Sequence, residues 1–203
     1  VNNGGNTEFS DMRLAYENLD YDIRNKIETL YCEHSLIYSR QRLGFDMEKE
    51  LSKNEIKNFK PVLQPMVRKI KENNRKTIYL SSHIGKIKGW LRPDTMCFVD
   101  DLIEYATQKK FKYVHKWKVN DLIMWDNRQT MHRVRSFDDV NETRDMRRTT
   151  IEGEEASSPS IVVLLISLVS LTSSKDLTRC IVCRLSHMIK SLTFHLCTYL
   201  NFF

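Results

Sequence analysis

No stretch of this sequence is apolar for long enough to cross a bilayer as a helix. The longest apolar run, IVVLLISLVSL (Ile161–Leu171), falls well short of the roughly 20 residues that a helical span needs, so membrane association is not expected. There is no basic stripe interleaved with aromatics, although the net charge is +6. Residues 156–203 hold four basic side chains (Lys175, Arg179, Arg184, Lys190) and one acid, Asp176. The rest of the chain is left with 28 basic against 25 acidic residues. A body so nearly balanced argues against a nucleic-acid partner. A disulfide framework is missing too. Cys32 and Cys97 stand alone inside apolar helical patterns, where a buried reduced thiol is expected. The spacing Cys180-x-x-Cys183 with His187 and His195 leaves a His–His gap longer than structural zinc sites use. The opening VNNGGNTEF has neither the basic region nor the apolar core of a secretory leader. The cytosol is therefore the default compartment, and a start at Val within an apparent strand–turn leads us to expect residues upstream.

What is present reads as one globular domain: 203 residues, 41% of them hydrophobic, with mean hydropathy −0.47, exclude a disordered chain. Ser10 or Asp11 can cap a short helix carrying Leu14 and Leu19, and Asp20 can cap the next. Ile23, Ile27, Leu30, Tyr31 and His34 recur at helical spacing and predict one helix through about Ile37. Residues 44–60 are charged and irregular, with a helical turn near Asn54–Phe59. Beyond residue 61 the pattern turns strand-like, with Thr77–Leu80 following the turn-prone Asn73-Asn74. Pro93 and Asp94 open a helix. Phe111, Tyr113, His115, Trp117 and Val119 alternate with lysines, the period of a strand with one wet face. Asn120-Asp121 turns into Leu122–Trp125, and Met131–Val134 and Asp145–Ile151 complete the strands. The fold class expected is mainly β with inserted helices, an antiparallel jelly roll. After Glu155 the character changes, so residues 1–155 are taken as the domain and 156–203 as an apolar tail outside the fold.

The chemistry is concentrated in WDNRQTMHRVRSFDDVNETRDMRRTTI (Trp125–Ile151). His132 alternates with Met131 and Arg133 and shares a strand face with Val134. Arg144, Met146, Arg148 and Thr150 fall on one face of another strand, which sets the two arginines roughly 13 Å apart. If Met146 points inward, so do both guanidiniums, and buried arginines need anionic partners. A planar guanidinium fork matches a carboxylate bidentately. One His and two inward arginines therefore suit carboxylate-bearing small molecules. Internal salt bridges, to Asp126 or Asp138 for example, would account for the same pattern.

That run resembles the C-terminal signature of the TauD/TfdA family of dioxygenases. GGNTEFSDMRLAYENL (Gly4–Leu19) and RKTIYLSSHIG (Arg75–Gly85) are similar to two further family blocks in the right order. The serines and His83 of LSSHIG bring it nearer the TfdA-like branch. The resemblance covers about residues 4–153. It implies a double-stranded β-helix (jelly roll, cupin-like) holding non-haem Fe(II) in a two-His-one-carboxylate triad. The activity it implies couples 2-oxoglutarate and O2 to hydroxylation of a small anionic substrate, releasing succinate and CO2. By the same resemblance His132 is an iron ligand and catalytic residue. Arg144 and Thr7 hold 2-oxoglutarate, and Trp125 lines its pocket. Arg148 binds the substrate's carboxylate or sulfonate, and His83 borders the substrate pocket.

The His-x-Asp motif that supplies the family's other two iron ligands is not in this sequence. The chain is thus expected to carry the C-terminal half of the site, incomplete as a jelly roll and inactive by itself. A non-catalytic remnant that binds a carboxylate or a protein partner is the alternative. The His132–Arg144 interval is one residue longer than the family's commonest spacing, and a loop at Asp138–Asn141 would absorb it.

Overall fold

A computed structural model describes residues 4–151 and 162–167. The elements run β1 (Thr7–Asp11), α1 (Met12–Glu17), α2 (Tyr21–Glu28), β2 (Tyr31–His34), α3 (Leu36–Arg42), α4 (Met47–Glu50) and α5 (Lys53–Asn58). Next come β3 (Val62–Pro65), β4 (Val67–Lys69), β5 (Lys76–Ile78), β6 (Ile84–Ile87), α6 (Arg92–Ala106) and β7 (Lys112–His115). The series closes with β8 (Leu122–Asp126), β9 (Thr130–Val134), β10 (Met146–Ile151) and β11 (Val162–Ser167). All strand pairs are antiparallel, in sheets of order β7-β1-β9, β10-β11-β8 and β3-β2-β6, with β4-β5 as a separate pair. Sheets with helices inserted between strands agree with the coarse expectation from sequence.

Local chemistry explains the boundaries. Asp11 caps α1 by accepting from the backbone N–H groups of Arg13 and Leu14. Ser52 and Glu55 form a reciprocal capping box on α5. Asn74 and Asn120 adopt positive φ at the turns expected of them. The single helix expected through Ile37 is corrected: α2 stops at Glu28, and Tyr31–His34 is the central strand of its sheet. Helical spacing of Ile27, Leu30 and Tyr31 was outcompeted by backbone pairing to β3 and β6, which buries Cys32 completely. Cys97 is likewise corrected, being exposed on α6 rather than buried. The strand expected over Phe111–Val119 is shorter, and Trp117 lies past its end.

The main core gathers Met12, Ala15, Ile27, Met66, Ile78 and Ile87 with Val99 and Leu102 of α6. A second, smaller cluster joins Phe9 of β1 to Trp125 of β8, with Ile123 packed against it. Six residues of the tail, Val162–Ser167, pair with β8 and β10, although sequence alone set the whole tail apart. Val162, Val163 and Ile166 are β-branched, which suits a strand. Cys180, Cys183, Cys197, His187 and His195 lie outside the described residues. No helix among the described residues is long and apolar enough to cross a membrane.

β1 is held from both sides and through both faces. Its Ser10 hydroxyl donates to the carbonyl of Ala106 at the end of α6. Its Glu8 carboxylate meets Lys112 at 3.1 Å, Arg133 at 2.6 Å and Arg135 at 2.8 Å. Burial would raise the Glu8 pKa, but hydrogen bonds from Arg133, Lys112 and Arg135 outweigh it and lower it from 4.5 to about 2. Glu8 is buried, whereas Arg133 and Arg135 are themselves exposed. Because the folded value lies below the unfolded one, the stabilisation is complete above about pH 4.5 and is lost as pH falls towards 2. Glu8→Gln should therefore lower the melting temperature at pH 7, with the gap to wild type closing as pH drops through this window. A gap that stays constant down to pH 2 would remove Glu8 as the ionic anchor of β1.

Candidate functional site

Period-2 geometry decides which side chains of β1 can meet. Glu8 and Ser10 face the ion cluster and α6, so Thr7 and Phe9 face the other way. The register pairs Phe9 with His132 on β9, so both project from that second face. The Phe9 and His132 rings stack with centroids 6.3 Å apart. Trp125 reaches them from β8, 5.1 Å from Phe9 and 4.8 Å from His132. The short connection from β8 to β9 carries the chain from one sheet to the other. Asp126 pins that corner, accepting from the Arg128 backbone N–H at 2.8 Å, from its Nη2 at 2.9 Å and from Gln129 Nε2 at 2.8 Å. The Trp125 indole N–H donates to Asn127 Oδ1 at 2.8 Å. The WDNRQT motif thus works first as a corner that folds Trp125 onto His132.

The glycines at the start permit a second close approach. Gly4 has φ +87°, and a Cβ there would collide with the Ser136 carbonyl oxygen. The Gly-Gly segment can therefore lie against the chain leaving β9, where Gly4 bridges Phe137. That brings Arg144 to the beginning of β1. Its Nε donates to the Gly5 carbonyl at 3.0 Å and its Nη2 to Thr7 Oγ1 at 3.3 Å. A guanidinium has five N–H donors, and these contacts use two. Arg144 makes no ion pair among the described residues, and burial lowers its pKa. The salt bridge considered from sequence does not form with Asp126, which pairs with Arg128 instead. Asp138 is occupied by the turn at Asp138–Asn141, accepting from Asn141 Nδ2 at 2.7 Å.

Arg148 sits on β10, whose register through β11 sets it in the row of Ile123 on β8. It shares the face of Ile123 and Trp125 and is exposed. Among the described residues it has no hydrogen bond or ion pair, but its charge is felt at His132. His132 is exposed on β9, and the part of its ring packed against protein lowers its pKa, with Arg148 adding to the effect. A lowered pKa favours the neutral imidazole, whose ring-nitrogen lone pair is available to a metal. Among the described residues no group of three His, Cys, Asp or Glu side chains could hold a metal ion.

Thr7, Trp125, His132, Arg144 and Arg148 thus come together. Among the described residues no hydrogen bond or ring contact joins His83 to these five. Its Nδ1 meets Ser39 Oγ at 2.7 Å, and its carbonyl accepts from the Ser35 backbone N–H at 2.8 Å. Burial lowers its pKa, with Arg40 contributing. Sequence reasoning missed Phe9, which seats both His132 and Trp125, and Trp117, whose indole N–H donates to Thr7 Oγ1 at 2.9 Å. Trp117 had a signal in its aromatic–lysine alternation, but that pattern reads as ordinary strand burial.

The family described as Taurine catabolism dioxygenase TauD, TfdA family matches residues 1–150. The alpha-ketoglutarate-dependent 2,4-dichlorophenoxyacetate dioxygenase of Burkholderia sp. (strain RASC) is 39% identical over 150 residues, 74% of this chain and 49% of that protein. The (S)-phenoxypropionate/alpha-ketoglutarate-dioxygenase of Sphingobium herbicidovorans is 33% identical over 161 residues, 78% of this chain and 56% of that protein. The chain therefore spans about half the length of these curated relatives. The crystal structure of AAD-2 in complex with Mn(II) and N-oxalylglycine superposes with a TM-score of 0.67 at 46% identity, covering 85% of this chain and 61% of that one.

Arg148→Ala should raise the His132 pKa part of the way back to 6.5, because burial, the larger cause, remains. An NMR titration of the imidazole reads this directly. An unchanged midpoint would place Arg148 out of range of His132.

Proposed function

The chain belongs to the TauD/TfdA dioxygenase family, and we propose on that footing that it supplies the anion clamps and one iron ligand of an Fe(II)- and 2-oxoglutarate-dependent dioxygenase. The observation that carries this reading is Arg144. Its guanidinium is fixed by Gly5 and Thr7, lacks a carboxylate partner among the described residues, and keeps three N–H donors unspent. A bidentate carboxylate is the ligand such a fork suits best. 2-Oxoglutarate would place its far carboxylate on Arg144 and Thr7, with Trp125 closing the pocket wall and excluding water. Arg148, exposed and unpaired among the described residues, is left for a second anion, the carboxylate or sulfonate of the substrate. Two relatives are named for 2,4-dichlorophenoxyacetate and (S)-phenoxypropionate, both carboxylates, which supports that substrate class.

His132 suits iron as a neutral imidazole seated by Phe9 and Trp125. Bound iron would supply the oxidation of substrate by O2. The described residues offer it this one ligand, and a usable site needs a preformed geometry of three. The contribution of these residues is therefore binding, orientation and electrostatics. The jelly roll is the architecture we assign, supported by two three-stranded antiparallel sheets in contact through Phe9 and Trp125. The two cysteines among the described residues are both free, one of them exposed, which suits a reducing cytosol. A carboxylate-binding role without catalysis is the second reading, favoured by the lack of a three-ligand cluster among the described residues.

Arg144→Ala should weaken 2-oxoglutarate binding roughly ten- to a hundredfold, the scale of hydrogen bonds to a charged group. Arg148→Ala should spare 2-oxoglutarate and weaken an aryloxyacetate instead. Identical behaviour of the two variants in a binding titration would refute this division. Fe(II)-dependent release of succinate identifies the enzyme, whereas binding that is indifferent to chelator identifies the non-catalytic reading.

A further inference from the structure

The geometry points to Trp117 as a positioning residue that makes the Thr7 hydroxyl an obligatory donor toward a bound carboxylate. The inference rests on the clamp reading of Arg144 and Thr7 and extends it to a residue outside the clamp. A threonine hydroxyl has one proton to donate and two lone pairs. At Thr7 Oγ1 both lone pairs are engaged, one by Trp117 Nε1–H at 2.9 Å and one by Arg144 Nη2–H at 3.3 Å. An indole N–H and a guanidinium can only donate, so neither can receive the hydroxyl proton. That proton has to be directed at a third group, and an ionised carboxylate, which only accepts, is the matching ligand. Without Trp117 one lone pair would be free, the hydroxyl would rotate, and the donor would no longer be aimed.

Trp117 is itself held for this task. It lies beyond the end of β7, where no strand pairing fixes it. The His115 ring packs edge-on against the indole, with centroids 4.5 Å apart. His115 Nε2 contacts Asp121 Oδ2 at 3.0 Å, and Asp121 also accepts from the Lys118 backbone N–H at 2.8 Å. A carboxylate at Nε2 assigns the proton to that nitrogen and leaves Nδ1 to accept from Tyr113 Oη at 3.1 Å. Register pairs His115 with Thr7 across β1 and β7. The turn at Asp121 therefore fixes His115, His115 fixes Trp117, and Trp117 fixes the proton of Thr7.

The test is a double-mutant cycle on the full chain, reading 2-oxoglutarate dissociation constants by NMR titration, with Arg144→Ala as the control for the clamp. Trp117→Phe keeps the ring and removes the N–H, and should weaken binding by a factor on the order of three to ten. Combined with Thr7→Val it should cost no more than Thr7→Val alone, because it acts through that hydroxyl. Additive losses, or a Trp117→Phe variant that binds like wild type while Arg144→Ala does not, overturn the proposal and leave the clamp standing. Binding that is absent in wild type or unaffected by Arg144→Ala overturns the clamp itself. The proposal then falls with it, and the indole signals of the three tryptophans report separately whether the Trp117–Thr7 contact exists. A Trp117 N–H resonance that shifts and exchanges faster in Thr7→Val upholds the contact, and an unmoved one overturns it.

Discussion

Alternation along five residues of β1 organises both halves of this structure. One face of Thr7–Asp11 delivers Glu8 to three cations and Ser10 to the end of α6. The other delivers Thr7 to Arg144 and Trp117, and Phe9 to His132 and Trp125. A one-residue slip against β9 would exchange these sets, burying a carboxylate among aromatics and aiming Phe9 at arginines. The Glu8 cluster therefore guards the register on which the site depends. Its strength comes from three cationic partners within 3.1 Å of one buried carboxylate.

The two arginines near His132 differ in what surrounds them. Arg144 is partly buried and tethered, with its fork aimed by a backbone carbonyl and a hydroxyl. Arg148 is exposed and acts on His132 through its field. A fixed fork suits a co-substrate of constant shape, and an exposed one can accept substrates of differing bulk. The corner at Asp126 joins these features, because it turns the chain between sheets within a few residues and presses Trp125 against His132.

Much of this was legible in residues 125–151. The strand faces of His132 and Arg148 follow from a period of two, and, earlier in the chain, the cap at Asp11 from a side chain that competes for backbone donors. The helix expected through Ile37 was not recoverable, since Ile27, Leu30 and Tyr31 satisfy a helical period equally well. Pairing with β3 and β6, distant in sequence, outweighed it. Trp117 was seen but taken for strand core, because its partner Thr7 lies 110 residues away. His83 lies in a block that resembles the family's, and its hydrogen bonds run to Ser39 and Ser35, partners that no short spacing in the sequence signals.

By itself the sequence determined the kind of chemistry, since a guanidinium fork, a hydroxyl after two glycines and an imidazole near a tryptophan are properties of residue type and short spacing. Tertiary structure alone decided which of them share a space. Gly4 can meet Ser136, and Arg144 can reach Thr7, only once β1 is inserted between β7 and β9. The Thr7 hydroxyl is approached in the same way, by two donors that lie 110 and 137 residues further along the chain.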